Sequence, residues 1–285
     1  LRVGGSWMGG NADERIVFQP VQTGQYYVVI YSFSGSSQTQ AYRLSLAYNS
    51  ARGSGRIYGT VKNNGYTQKN VPIILYYYNG YRTTRVSTLT DSSGNYNFWG
   101  MPALPVGHTY RIYYPNYEDN DQRLGYWGCW SFTGYQASQT YNACSFDIKG
   151  IPLIFPNGGE TRVLPITFQW SIRNLTGDNY QFSLYRTSPS YASYYAPYTT
   201  ASSYTLSSLP YGFSYGPTNY WYVYVQNELG YGASYYARSI IFSSSLNTTE
   251  SSEDAQIRMC DFAAKENLSG DEALSQCVGP EKHVS

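Results

Sequence analysis

Charge is scarce in this sequence. Of 285 residues only 13% are Asp, Glu, Lys or Arg, and the net charge is +1. That excludes the basic field that nucleic acid or an anionic membrane surface requires. Histidine is scarcer still, with only His108 and His283. The four cysteines show no C-x-x-C spacing, so a structural zinc site would lack ligands. G-x-S-x-G, the P-loop and a G-x-G-x-x-G run after a strand are all missing. Residues 1–249 hold 10 of the 18 acids, mostly in turns, which argues against the paired inward carboxylates of a glycosidase. An enzyme is therefore not expected, and neither is a cofactor. No run of about 18 apolar residues exists, so no helix is expected to span a membrane. No basic and apolar leader opens the chain; its start, LRVGGSWMGG, reads as that of a mature or truncated form.

What the sequence has is tyrosine, 34 residues of it, among many Ser, Thr, Asn and Gly. Tyr and Thr fit a half-buried pleated surface, so the expectation is sheet with frequent turns. The length allows two or three domains, each able to bury a core. The fold class expected is all-β: tandem antiparallel β-sandwich (Ig-like) domains with a short disulfide-stapled helical C-terminal tail. The cysteines fall in two local pairs, Cys129 with Cys144 and Cys260 with Cys277. Two disulfides follow, each closing a loop of roughly 15–20 residues and contributing about 3 kcal/mol in the chain-entropy model. They imply an oxidising compartment, so a secreted, extracellular or cell-surface protein is expected.

The stretch TLTDSSGNY at 88–96, continuing into NFWGMPAL, is the clearest local signal. Asp and Ser cap their own backbone and Gly supplies a positive φ, so two alternating runs should meet in a hairpin. In 53–148 the order GRIYGTV, VPIILYY, TLTDSSGNYNF and HTYRIYY resembles the carboxypeptidase regulatory-like, or transthyretin-like, β-sandwich of bacterial surface proteins. The motif carrying the resemblance is Thr90, Asp91, Gly94, Tyr96 and Phe98. It implies a structural role, with Asp91 and Gly94 building the turn and Tyr96 on the strand that follows.

Residues 1–50 contain VFQPV, QYYVVIY and AYRLSLAY, about three or four strands. Over roughly 13–48 the pattern resembles the C-terminal half of the bacterial pre-peptidase C-terminal domain, which implies a partial β-sandwich with an open edge and a face that needs cover. Residues 151–243 show strand signals at roughly 10–15-residue spacing, which suggests a sandwich. Pro152, Pro156, Phe168, Trp170 and Leu209-Pro210 make this unit resemble bacterial fibronectin type III-like modules. Its late strand sets Trp221, Val223 and Val225 on one face and Tyr220, Tyr222 and Tyr224 on the other. The first set reads as core; the second packs under a neighbour or forms a binding face. Residues 244–285 begin with a Ser/Thr linker and then lose tyrosine altogether. Ser252 with Glu253 and Asp254 reads as the start of a helix through Ile257 to about Asn267, and 271–277 as a second.

Several candidates for binding remain. Glu118, Asp119 and Asp121 offer oxygen ligands to Ca²⁺ but lack the spaced D-x-D-x-D-G pattern, so a solvated acidic loop is the simpler reading. Tyr126, Trp127 and Trp130 flank Cys129 and either stack on sugar rings or cover the disulfide and the domain junction. Asn174, Asn247 and Asn267 start N-x-S/T sequons, at a frequency near chance in so Asn-, Ser- and Thr-rich a chain. The functional expectation is a structural or adhesive extracellular protein, a subunit of a surface layer, filament or appendage, with copies of itself as partner. The alternatives are a glycan-binding accessory module and the C-terminal region of a secreted peptidase or hydrolase.

Overall fold

The structure is a computed structural model that describes residues 17–20, 27–28, 53–80, 83–118, 120–245 and 256–258. Among these residues every regular element is a strand: the protein is all-β. In chain order they are β1 (Val17–Gln19), β2 (Arg56–Asn63), β3 (Tyr66–Thr67), β4 (Pro72–Tyr78), β5 (Thr83–Leu89), β6 (Asn95–Trp99) and β7 (Thr109–Pro115). Then come β8 (Tyr126–Cys129), β9 (Thr140–Asn142), β10 (Phe146–Asp147), β11 (Leu153–Phe155), β12 (Glu160–Arg162) and β13 (Ile166–Trp170). The last are β14 (Asn179–Arg186), β15 (Ala192–Tyr195), β16 (Ser203–Leu206), β17 (Thr218–Asn227), β18 (Gly230–Ala233), β19 (Tyr236–Phe242) and β20 (Gln256–Arg258).

One sheet of 12 strands organises the molecule, in the order β1-β5-β4-β7-β8-β18-β17-β14-β15 with β12, β19 and β20 attached beside it. Two small sheets lie against its inner face. One is built around β2 with β3, β6, β9 and β10; the other is β11-β13-β16. The period of 2 decides which side chains point inward. On β4, Ile73 and Leu75 enter the main core while Ile74 and Tyr76 point out. On β17, Trp221, Val223 and Val225 enter it while Tyr222 points out. The main core is continuous from Ile57, Tyr96 and Phe98 at one end to Phe168, Trp170 and Phe182 at the other.

The stretches 53–148 and 151–243 thus share a sheet and a core. The joint is the antiparallel pairing of β8 with β18, Tyr126 opposite Ala233 and Cys129 opposite Gly230. Glycine makes this approach close: a Cβ on Gly230 would sit 2.2 Å from the Gly128 carbonyl oxygen, and one on Gly232 2.4 Å from that of Tyr126.

The 88–96 stretch folds as its turn chemistry requires. Asp91 Oδ1 accepts hydrogen bonds from Ser93 N and Asn95 N, both at 2.9 Å, and Gly94 N donates to the Asp91 carbonyl at 3.0 Å. Gly94 has φ +76°, and a Cβ there would meet the Val61 carbonyl oxygen at 2.7 Å. Tyr96, fully buried, donates its hydroxyl to the Cys144 carbonyl at 2.6 Å, tying β6 to the disulfide loop. A second turn of this kind is Asn64-Gly65, with φ of 52° and 84°, which closes the β2–β3 hairpin with both residues left-handed.

Of the first 50 residues, Val17–Gln19 forms β1, which pairs in parallel with β5 at the end of the large sheet. Tyr27 and Val28 are exposed and outside regular structure. The strand runs expected at 29–31 and 42–46 lie outside the described residues. One expectation is corrected: Gln256–Arg258, assigned by its sequence to a helix, is strand β20, paired antiparallel with Tyr236–Arg238. Ile257 sits opposite Ala237, so pairing to an open sheet edge overrides a short local helix signal. The rest of the expected helical tail lies outside the described residues.

Candidate functional site

The seam between the two units gathers the unusual chemistry. Trp127 on β8 is fully buried, stacked on Phe146 at 6.2 Å between ring centres. The guanidinium of Arg173, from the loop after β13, lies 5.1 Å from the Trp127 ring. Arg173 and Asp178 are each 1% exposed at the side chain and approach to 3.0 Å, Nε to Oδ2. That contact is off the line of a good hydrogen bond, and Arg173 Nη1 has no hydrogen-bond partner among the described residues. Burial lowers the Arg173 pKa, and the Asp178 carboxylate opposes that shift. Asp178 is held in turn by Asn227 Nδ2 at 2.9 Å, from β17, and by the Tyr180 hydroxyl at 3.3 Å. Lys149 Nζ donates to the Arg173 carbonyl at 2.9 Å. Beside this network an open cleft of about 320 Å³ is lined by Thr60, Lys62, Ser145, Asp147, Arg173 and Asn227.

The Cys129–Cys144 disulfide forms as the spacing predicts, across 15 residues. Cys260 and Cys277 lie outside the described residues.

The outer face of the large sheet carries the second feature. Ile74, Tyr76, Tyr113, Tyr126, Tyr185, Tyr222, Ala233 and Ala237 form a separate buried apolar cluster there, with Tyr220, Tyr224 and Tyr231 packed against it. Tyr126 stacks on Tyr113 at 6.0 Å and meets Tyr231 edge-on at 6.3 Å. Tyr185 stacks on Tyr220 at 5.2 Å, and Tyr222 meets Tyr224 edge-on at 4.8 Å. Burial holds the Tyr126 and Tyr222 hydroxyls well above the usual tyrosine range, and pushes Tyr224 up to about 12. The Arg111 guanidinium crosses over Gly128 to lie 4.7 Å from the Tyr231 ring; a Cβ on Gly128 would sit 2.3 Å from Arg111 Nη2.

The six aromatic residues singled out by sequence therefore divide. Trp127 is interior, because it lies on the inward parity of β8, and it offers no stacking platform. Tyr126, Tyr220, Tyr222 and Tyr224 share the outer face across the seam. Trp130 stands at the rim, 48% exposed, 5.4 Å from the Tyr231 ring, with its Nε1 donating to the Asn227 carbonyl at 3.2 Å.

In the acidic loop Glu118 and Asp121 are exposed. Glu118 is paired with Arg123 at 2.8 Å, and Asp121 accepts from Gln122 Nε2 at 3.1 Å. Asp119 lies outside the described residues. Among the described residues no group of three or more His, Cys, Asp or Glu is placed to hold a metal ion, and no helix is long and apolar enough to cross a membrane. His108 Nδ1 is hydrogen-bonded to the Tyr77 hydroxyl at 2.5 Å. Asn174 is exposed at φ +57° in the loop that carries Arg173. Asn247, Asn267 and His283 lie outside the described residues. Sequence reasoning missed Arg173 and Asp178; the signal present was the paired residues of opposite charge around the Asn-Leu-Thr-Gly turn, in a chain where charge is rare.

No family model matches the chain, and no curated protein matches it. Among solved structures the chain is similar to a DUF3823 family protein from Parabacteroides merdae, at 10% identity and a TM-score of 0.25, over 66% of this chain and 98% of that one. It is likewise similar to a DUF3823 family protein from Bacteroides ovatus, at 12% identity and a TM-score of 0.24, over 66% of this chain and 98% of the other.

Proposed function

We propose that this protein is a non-enzymatic structural or adhesive component of an extracellular surface, built from tandem Ig-like β-sandwich modules and assembling through the ends of its large sheet. The observation that carries the reading is the sheet itself: among the described residues it runs unbroken through both modules and ends at β15, whose neighbourhood SPSYASYYAPYTT carries no charge. Soluble proteins usually blunt such an edge with charge. Here Tyr191, Tyr195 and Tyr198 stand exposed along it, and Pro189 and Pro197 bound it. A second strand added there would extend the sheet. The Cys129–Cys144 disulfide supports an oxidising, extracellular setting. The carboxypeptidase regulatory-like and fibronectin type III-like readings supply the module types. Light scattering and negative-stain microscopy of the purified chain test the assembly. Concentration-dependent growth that is lost in Tyr195→Lys supports it; a monomer at every concentration refutes it.

One observation favours a second reading, glycan binding. Trp130 and Tyr231 form an aromatic pair at the rim with Arg111 behind it. A glycan array on the wild type and on Trp130→Ala decides this: no binding by the wild type, or binding unaffected by the substitution, removes the reading.

A further inference from the structure

The cleft of about 320 Å³ beside the seam network forms where four pieces of chain meet. β2 brings Lys62, the approach to β10 brings Ser145, the loop after β13 brings Arg173, Leu175 and Thr176, and the β17–β18 turn brings Leu229. Small-molecule sites span about 300–1,000 Å³ and favour junctions of this kind. Arg173 is the group there that calls for a ligand. Its side chain is 1% exposed, yet its Nη1 has no hydrogen-bond partner among the described residues and its Nε meets Asp178 off line. A guanidinium is a planar fork of N–H donors, and leaving such donors buried and unpaired is costly. Asp147 lines the same cleft and acts on the Arg173 charge, which sets the guanidinium toward that side. The Asp147 carboxylate is itself spent on the β2–β3 turn: Oδ1 accepts from Asn64 N at 3.0 Å and Lys149 N at 2.8 Å, and Oδ2 from Gly65 N at 2.7 Å.

We propose that this cleft binds a singly charged sugar acid, a hexuronate, whose carboxylate meets the Arg173 guanidinium while its ring rests on Leu175 and Leu229. A carboxylate is planar and matches the guanidinium fork. Asp147 and Asp178 stand close by and would repel a second negative charge, which favours a carboxylate over a phosphate dianion. Lys62 is exposed on the same wall and supplies a second cation. The two leucines suit the C–H groups of a sugar ring, and two hydroxyls suit its oxygens. Ser145 Oγ accepts from Thr60 N at 3.1 Å, which leaves its hydrogen to donate, and Thr176 is exposed. The Asn227 side chain has no such freedom: Nδ2 donates to Asp178 at 2.9 Å and Oδ1 accepts from Leu229 N at 2.9 Å, so it holds the wall in place. This binding needs neither the β15 edge nor the Trp130–Tyr231 pair. It stands or falls independently of assembly and of glycan contact at the rim.

Titration of the full chain with sodium glucuronate at neutral pH tests it, followed by nitrogen–proton correlation spectra that include the arginine Nε–H groups. Saturable shifts are expected at the Arg173 Nε–H and at the amides of 145–147 and 175–176, with the β4 amides unmoved. Glucose and the methyl ester of glucuronate should produce none, since they lack the charge. Lys62→Ala should weaken binding several-fold, and Thr176→Trp should fill the cleft and abolish it. Both positions are exposed, so neither substitution threatens the fold. Trp130→Ala should leave binding unchanged. The absence of a saturable shift at the Arg173 Nε–H would overturn the proposal, as would binding that survives both cleft substitutions. Equal shifts with glucose would make the cleft a neutral-sugar site and overturn it too. Equal affinity for acetate or inorganic sulfate would leave the sugar ring no role, and loss of binding in Trp130→Ala would move the site to the rim; either result counts against the assignment.

Discussion

Removing Asp178 should damage this protein more than removing any other carboxylate among its described residues. Its side chain is 1% exposed and faces an equally buried Arg173 at 3.0 Å. In Asp178→Ala the guanidinium keeps the Trp127 ring, a contact contributing about 1–2 kcal/mol when desolvated. It loses its counter-charge, and the Asn227 amide loses an acceptor at the same time. Breaking one side of a buried ion pair typically costs about 3–5 kcal/mol, because the remaining charge is stranded in a medium that solvates it poorly. We expect a loss near 4 kcal/mol in that range, read from urea unfolding with the slope unchanged. The double variant Arg173→Met/Asp178→Leu should recover most of it, since an apolar pair of similar volume removes the stranded charge. A loss below about 1 kcal/mol for Asp178→Ala would refute the reasoning, because it would mean that water reaches the guanidinium.

Other consequences follow from the same geometry. Gly94→Ala combines a left-handed backbone with a Cβ 2.7 Å from a carbonyl oxygen, and should lower stability by about 1–3 kcal/mol in thermal melts. Replacing Cys129 and Cys144 by Ser opens a 15-residue loop and should lose about 3 kcal/mol by urea titration, with reductant producing the same change in the wild type. The tyrosines should titrate in separate groups followed by absorbance. Burial raises Tyr180, Tyr204 and Tyr224 to about 12, above the ordinary tyrosine value near 10. A raised folded pKa means that the unfolded chain releases these protons first. Their contribution is therefore complete below about pH 10 and is lost as pH rises toward 12, so unfolding should set in across that window.

Much of the local structure was legible. Asp91, Gly94 and the alternation of Tyr96 and Phe98 are short-range rules, and the structure obeys them because turn chemistry and strand parity act within a few residues. Trp221, Val223 and Val225 were readable for the same reason. The Asn64-Gly65 hairpin carries an equally clear short-range signature, an Asn-Gly pair with both residues left-handed. The seam was not legible. β8 and β18 are separated by about a hundred residues, and nothing local in YWGC or GYGA names its partner. Gly230 and Gly232 let two backbones approach, a role that no local pattern marks in a Gly-rich chain. Trp127 and Trp130 look alike in sequence, and only the parity of β8 sends one into the core and leaves the other at the rim. Ile257 shows the limit from the other side: a plausible helical phase gave way to an available sheet edge.

The central claim is that one sheet makes the two modules a single folding unit. Native-state hydrogen exchange at two amides tests it most directly, because both donate across the seam: Gly125 N to the Ala233 carbonyl at 3.0 Å and Trp130 N to the Leu229 carbonyl at 3.1 Å. The account predicts that both exchange only through global unfolding, with the same denaturant dependence as the β4 and β7 amides at the centre of the first module. Exchange of these two amides through a local opening, while the centres of both modules stay protected, would contradict it.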